Sequence, residues 1–95
     1  MNEAILHIVN RNSMQYETLV GFLTDNQLSL LKAIAKRGRI ESPQSNDFIK
    51  QYDLPSASSV KTALTVLLDK DLVYHDNMGY WVYDRFFDLW LKQQV

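Results

Sequence analysis

Ninety-five residues suffice for one domain, and a chain of that length buries roughly two-thirds of the surface its unfolded form exposes. With 46% hydrophobic and 22% charged residues, three Gly and two Pro, the composition excludes a disordered or fibrous protein. The absence of cysteine rules out a disulfide framework or a thiolate metal site, and two histidines, His7 and His75, are too few for an imidazole site. Ten Lys plus Arg against eleven Asp plus Glu leave a net charge of -1, so any nucleic acid must be met by a local basic face.

Residues 4 to 23 carry Ile5, Ile8, Val9, Tyr16, Leu19, Val20 and Leu23 on one helical face. The stripe breaks at Asn12, and Asn10-Arg11-Asn12-Ser13 competes for its own backbone, which predicts two helices or one long helix weakened there. Thr24 to Gln27 has the form of a capping box, opening a helix with apolar Leu28, Leu31 and Ile34 plus Leu30 and Ala35. Gly38 ends it, with Lys36 and Arg37 in the last turn, where cations meet the negative end of the helix dipole.

Arg39-Ile40-Glu41 is short with a β-branched centre and reads as a one-bridge strand. Ser45 caps a short helix over 46 to 52 that turns Phe48, Ile49 and Tyr52 inward, and the Asp53-Leu54-Pro55 run closes it because a residue before proline leaves the helical region. Ser56 caps the next helix. Its Val60, Ala63, Leu64, Leu67 and Leu68 fall at i, i+3, i+4, i+7 and i+8, while Ser58, Ser59, Lys61, Thr62, Thr65 and Asp69 occupy the opposite face. Leu72 to Asp76 and Tyr80 to Tyr83 read as two strands around an Asn77-Met78-Gly79 turn. Asp84 caps a terminal helix whose Phe86, Phe87, Trp90 and Leu91 point to the core.

That order predicts a mainly α fold with a small β-hairpin: a winged helix-turn-helix over 24-95, with an N-terminal helical segment, 1-23, packed on it and a C-terminal helix. The helix after Ser56 is then the recognition helix. Its hydroxyls and Lys61, with Arg39 beside them, form the candidate nucleic-acid face: Ser56, Ser58, Ser59, Lys61, Thr62, Thr65 and Arg39. Lys61 is the one cation on the exposed face of its first three turns, and the wing residues His75 to Gly79 bring an acid and no Arg or Lys, which predicts weak duplex affinity and a shallow salt dependence.

No other chemistry has the spacing of a site. Asp69, Asp71, Asp76, Asp84 and Asp88 read as helix ends, a turn and a cap, and His75-Asp76 lacks a third group or a nucleophile. Gly21, Gly38 and Gly79 are isolated, so no phosphate-cradling loop exists in the chain. The aromatics Tyr74, Tyr80, Trp81, Tyr83, Phe86, Phe87 and Trp90 read as core, although a surplus exposed on one side would mark a partner surface. With no stretch near the ~20 apolar residues of a membrane span and no leader-like start, the expected location is cytoplasmic, with no membrane partner.

The segments Leu23-Thr24, Gln27, Leu30 to Ala35, Leu54 to Val60, Ala63-Leu64, Leu67, Asp71 to Val73, Tyr80 to Asp84 and Phe86 to Leu91 resemble the C-terminal winged-helix part of archaeal-type P-loop ATPases, found in archaea and in bacteria such as Bacteroides. "LPSASSV" and "YDRFFDLWL" are the specific pieces, and Arg85 stands where that family usually has proline. The resemblance implies a non-catalytic accessory domain whose parent carries ATP and Mg in an upstream module; this chain holds no cofactor and no catalytic or metal residue of its own. It implies double-stranded DNA or the ATPase module as partner. The alternative is a protein or interdomain contact module that touches no nucleic acid, and the weaker alternative a stand-alone transcription regulator, a homodimer through its first helix.

Overall fold

The computed structural model describes residues 13–93. Five helices and one hairpin follow in order: α1 (Ser13–Gly21), α2 (Asp25–Arg37), α3 (Asn46–Gln51), α4 (Ala57–Asp69), β1 (Val73–Asp76), β2 (Gly79–Val82) and α5 (Arg85–Gln93). The fold is mostly helical with a two-stranded antiparallel sheet. The expected helical stretch before Ser13 lies outside the described residues.

Side chains start each of the helices after α1. Thr24 accepts from the Gln27 amide at 3.2 Å while the Gln27 side chain accepts from the Thr24 amide at 3.1 Å, the reciprocal box read from the sequence. Ser45 and Ser56 cap α3 and α4 with the one-way half of that bond, accepting from the Phe48 and Ser59 amides, and Asp84 Oδ1 accepts from the amides of Phe86 and Phe87 at the start of α5.

Two helix ends use a device that the sequence reading missed. Asp53 and Asp71 both sit in the left-handed region, at φ 53° and 58°. In each case the next two amides turn back into the helix: Asp53 to Lys50 and Leu54 to Ile49 after α3, Asp71 to Leu68 and Leu72 to Leu67 after α4. These are paired Schellman closures with aspartate in the place glycine usually takes. The leucine that follows each aspartate is buried, so the closure aims the chain inward. Helix α3 therefore ends by its own backbone bonds, ahead of the restriction imposed by Pro55.

Helix α2 is the centre of the molecule, packed against α4, α5 and β2. Its Leu30, Leu31, Ala33, Ile34 and Ala35 are all buried, and no single stripe suffices for a helix covered on several sides. From α4 come Val60, Ala63, Leu64 and Leu67, from α5 Phe87, Trp90 and Leu91, from α3 Phe48, and from the segments on either side of α3 Ile40 and Leu54. Leu67 is fully enclosed, a burial that stabilises the fold by about 1.5–3 kcal/mol. Helix α1 joins through Tyr16, whose ring lies 5.1 Å from Phe87 and 5.5 Å from Trp90, and through Ser13, whose Oγ accepts from the Trp90 indole at 2.9 Å. Burial, and after it the negative charge of Asp84, push the Tyr16 hydroxyl above its ordinary pKa of 10.0.

The hairpin pairs Val73 with Val82, Tyr74 with Trp81, His75 with Tyr80 and Asp76 with Gly79. Its turn is two residues, Asn77-Met78, held by Asp76 Oδ1 accepting from the Met78 amide at 2.8 Å. Gly79 is thus the first strand residue rather than part of the turn. Its backbone has φ +129°, and a Cβ there would lie 2.7 Å from the Ile40 carbonyl oxygen, so only glycine fits. That close approach lets Ile40 exchange two backbone hydrogen bonds with Tyr80, at 3.0 and 2.8 Å, making the one-bridge third strand that the sequence predicts. On the same strand pair the His75 and Tyr80 rings stack in parallel, 4.0 Å apart.

Candidate functional site

The amphipathic stripe of α4 fixes what it can show. With Val60, Ala63, Leu64 and Leu67 buried, helical geometry turns Ser58, Lys61, Thr62 and Thr65 outward, where all four are exposed. Ser56 and Ser59 are half-buried at the helix start, tied together by hydrogen bonds of 3.0 and 3.2 Å. These six candidate residues share one end and one face of a single helix. A polar groove of about 350 Å³ runs beside them, between Ser58, Ser59 and Thr62 and the residues Thr24, Asn26 and Gln27 at the start of α2.

The hydroxyls on this face are not idle. Thr62 Oγ1 donates to the Ser58 carbonyl at 3.1 Å and Thr65 Oγ1 to the Lys61 carbonyl at 3.0 Å, so each proton a phosphate oxygen would need is already given to the backbone. Lys61 remains the one cation there. Arg39, the seventh candidate, is exposed, its guanidinium 4.8 Å from the centroid of the Trp81 ring on the hairpin. Neighbouring Arg37 is engaged too, donating to Gln51 Oε1 at 2.6 Å.

A second surface lies on the outer side of the hairpin. Strand alternation puts Val73 and Val82 toward the core and leaves Tyr74, Trp81 and Tyr83 together on the other face. Tyr74 is 45% and Tyr83 69% exposed, which removes both from the core that the sequence reading assigned to the whole aromatic group. Phe86 is a further correction: at 36% exposed it looks outward from the first turn of α5, because the helix can turn only Phe87, Trp90 and Leu91 inward. The rings sit 6.2 Å (Tyr74 to Trp81) and 6.1 Å (Tyr74 to Tyr83) apart and wall an open notch of about 380 Å³. Gly38, Val82, Arg85 and Asp88 complete its lining.

A helix-turn-helix pair followed by a two-stranded wing, with a bridging third strand, is the winged-helix arrangement. The family described as "Probable winged helix domain" matches residues 14–93. The chain belongs to that family. Searches of curated proteins and of solved structures give no match. In this winged-helix domain α3 and α4 are the helix-turn-helix pair and the hairpin is the wing. Among its described residues no helix is long and apolar enough to cross a membrane, and no three His, Asp or Glu side chains are grouped as metal ligands would be.

The aromatic notch had a signal in the sequence. Tyr74 alternates with the inward Val73, and Trp81 and Tyr83 flank the inward Val82, so the period-two pattern alone separates them from the core. Arg85 and Asp88 had none, since their convergence on the notch depends on how α5 docks against β2.

Proposed function

We propose that this winged-helix domain is a non-catalytic accessory module of a P-loop ATPase and that it works by contact with protein, either the ATPase module or another subunit. The ATPase link rests on the resemblance of "LPSASSV" and "YDRFFDLWL". The contact reading rests on one observation: the chain exposes aromatic side chains on the wing while the recognition helix offers a single cation. Tyr, Trp and Arg are the residue types that dominate protein interface cores.

Double-stranded DNA is the second reading, favoured by the outward face of Ser58, Lys61, Thr62 and Thr65 at the end of α4 where recognition helices meet base edges. An anisotropy titration of a duplex at low salt decides between them. Contact with protein predicts binding no tighter than the non-specific range, about 10⁻⁴–10⁻⁶ M, and little change in Lys61→Glu or Arg39→Glu. Submicromolar binding abolished by those reversals would overturn it. A Walker motif fused to, or encoded beside, this segment supports the ATPase part, and its absence from the gene neighbourhood removes that part.

A further inference from the structure

We propose that the notch walled by Tyr74, Trp81 and Tyr83 is a docking pocket for one tryptophan or tyrosine side chain presented by an acidic segment of a partner protein. The inference rests on the protein-contact reading and specifies the chemistry of the partner. Three observations define the occupant.

The first is shape and lining. A volume of about 380 Å³ open on one side, with three aromatic rings for walls, takes a single large flat side chain. Offset and edge-on ring contacts favour an aromatic guest over an aliphatic one.

The second is charge. Arg39, over Trp81, and Arg85, in the lining, have no ion-pair partner among the described residues. Asp88 does not cancel them, because its Oδ2 is met by Lys92 at 2.9 Å. Two unpaired guanidiniums beside an apolar notch call for carboxylates flanking the guest, in the forked geometry arginine prefers.

The third is a polar handle. Asp88 Oδ1 is buried and accepts no hydrogen bond in the structure. A buried acceptor without a partner is costly, and because Oδ1 is closed to solvent, the indole N–H or phenol O–H of a guest reaches it once the Asp88 side chain turns toward the notch it lines. A leucine or phenylalanine would leave that oxygen unmatched. Single-stranded nucleic acid, which also stacks on aromatics, fits less well: tracking its backbone takes a line of cations, and only the two guanidiniums of Arg39 and Arg85 stand at the notch.

The test uses the full chain, labelled with ¹⁵N, and four probes: acetyl-Asp-Glu-Trp-Glu-Asp-amide, the same peptide with alanine for tryptophan, a Lys/Arg version keeping the tryptophan, and a single-stranded oligo-dT. The acidic tryptophan peptide is expected to shift the Trp81 indole resonance and the amides of Tyr74, Tyr83 and Asp88. Arg85→Glu should weaken it by about fivefold or more, as loss of a charged interface contact does. That variant places an acid in the first turn of α5, where the helix dipole favours it, so lost binding is not lost folding. Tyr83→Ala, at a residue mostly in solvent, should remove the shifts, and Lys61→Glu on α4 should leave them unchanged.

Equal binding of the alanine or the basic peptide, shifts confined to α4, or no shift at millimolar peptide would each overturn the proposal. Stronger shifts from oligo-dT would overturn it in favour of single-stranded nucleic acid. Tight duplex binding in the titration above removes the contact reading itself; weak duplex binding together with a silent peptide removes only the notch.

Discussion

Replacing Gly79 with alanine tests how the wing is fastened to the body of the domain. The new Cβ would lie 2.7 Å from the Ile40 oxygen, 3.0 Å from its carbon and 3.3 Å from the Glu41 Cα, all backbone atoms that cannot swing aside as a side-chain tip would. At φ +129° an L-residue is strained by about 1–3 kcal/mol. Parting the segment from β2 adds the two hydrogen bonds between Ile40 and Tyr80, about 0.5–1.5 kcal/mol each. Against these, alanine restricts the unfolded chain and returns about 0.4–1 kcal/mol. The net loss spans about 1–5.5 kcal/mol and centres on about 3 kcal/mol, a fall in Tm of roughly 10–25 °C for a domain of this size. Thermal and urea melts of Gly79→Ala beside Gly38→Ala isolate the cause. Gly38 also has positive φ, +89°, but nothing stands within 4 Å of its would-be Cβ, so it should suffer the conformational strain without the clash. If the two variants melt together, the close approach contributes nothing and the reasoning fails.

Two further outcomes follow from the caps and from Tyr16. Ser56→Ala should lower stability by about 1 kcal/mol, because it frees the Ser59 amide, whereas Ser58→Ala should change it by less than half of that; equal losses in urea melts would contradict the assigned cap. For Tyr16, the folded state holds the proton more tightly than the unfolded chain. Its share of stability is therefore complete below pH 10.0 and declines as pH rises from there through the raised folded value. Tyr16→Phe should remove that alkaline decline, and an unchanged decline in a pH series of melts would show that another group causes it.

How far the fold could be read in advance depends on whether the signal is local. The Thr24 box, the Ser56 cap and the aliphatic spacing of Val60 to Leu68 each act within one or two turns, so their residue types announce them. The Schellman closures at Asp53 and Asp71 are local as well, but aspartate in a left-handed position is uncommon and looks like any surface acid. Gly79 carried a turn signal for a reason that concerns Ile40, thirty-nine positions away in the chain. The site divided along the same line. The outward face of α4 followed from its stripe, while the contact of Arg39 with Trp81 joins residues forty-two positions apart and had no local signal. Phe86 and Phe87 are adjacent and chemically identical, and only the docking of α5 against α2 decides which one is covered.

The parallel stack of His75 on Tyr80 gives the wing a reporter of its own. Two rings face to face at 4.0 Å shield each other's protons through their ring currents, so the imidazole resonances should stand upfield of a free histidine's. Since Tyr80 also holds the bridge to Ile40, return of those resonances to their free positions times the detachment of the wing separately from the melting of the helical core.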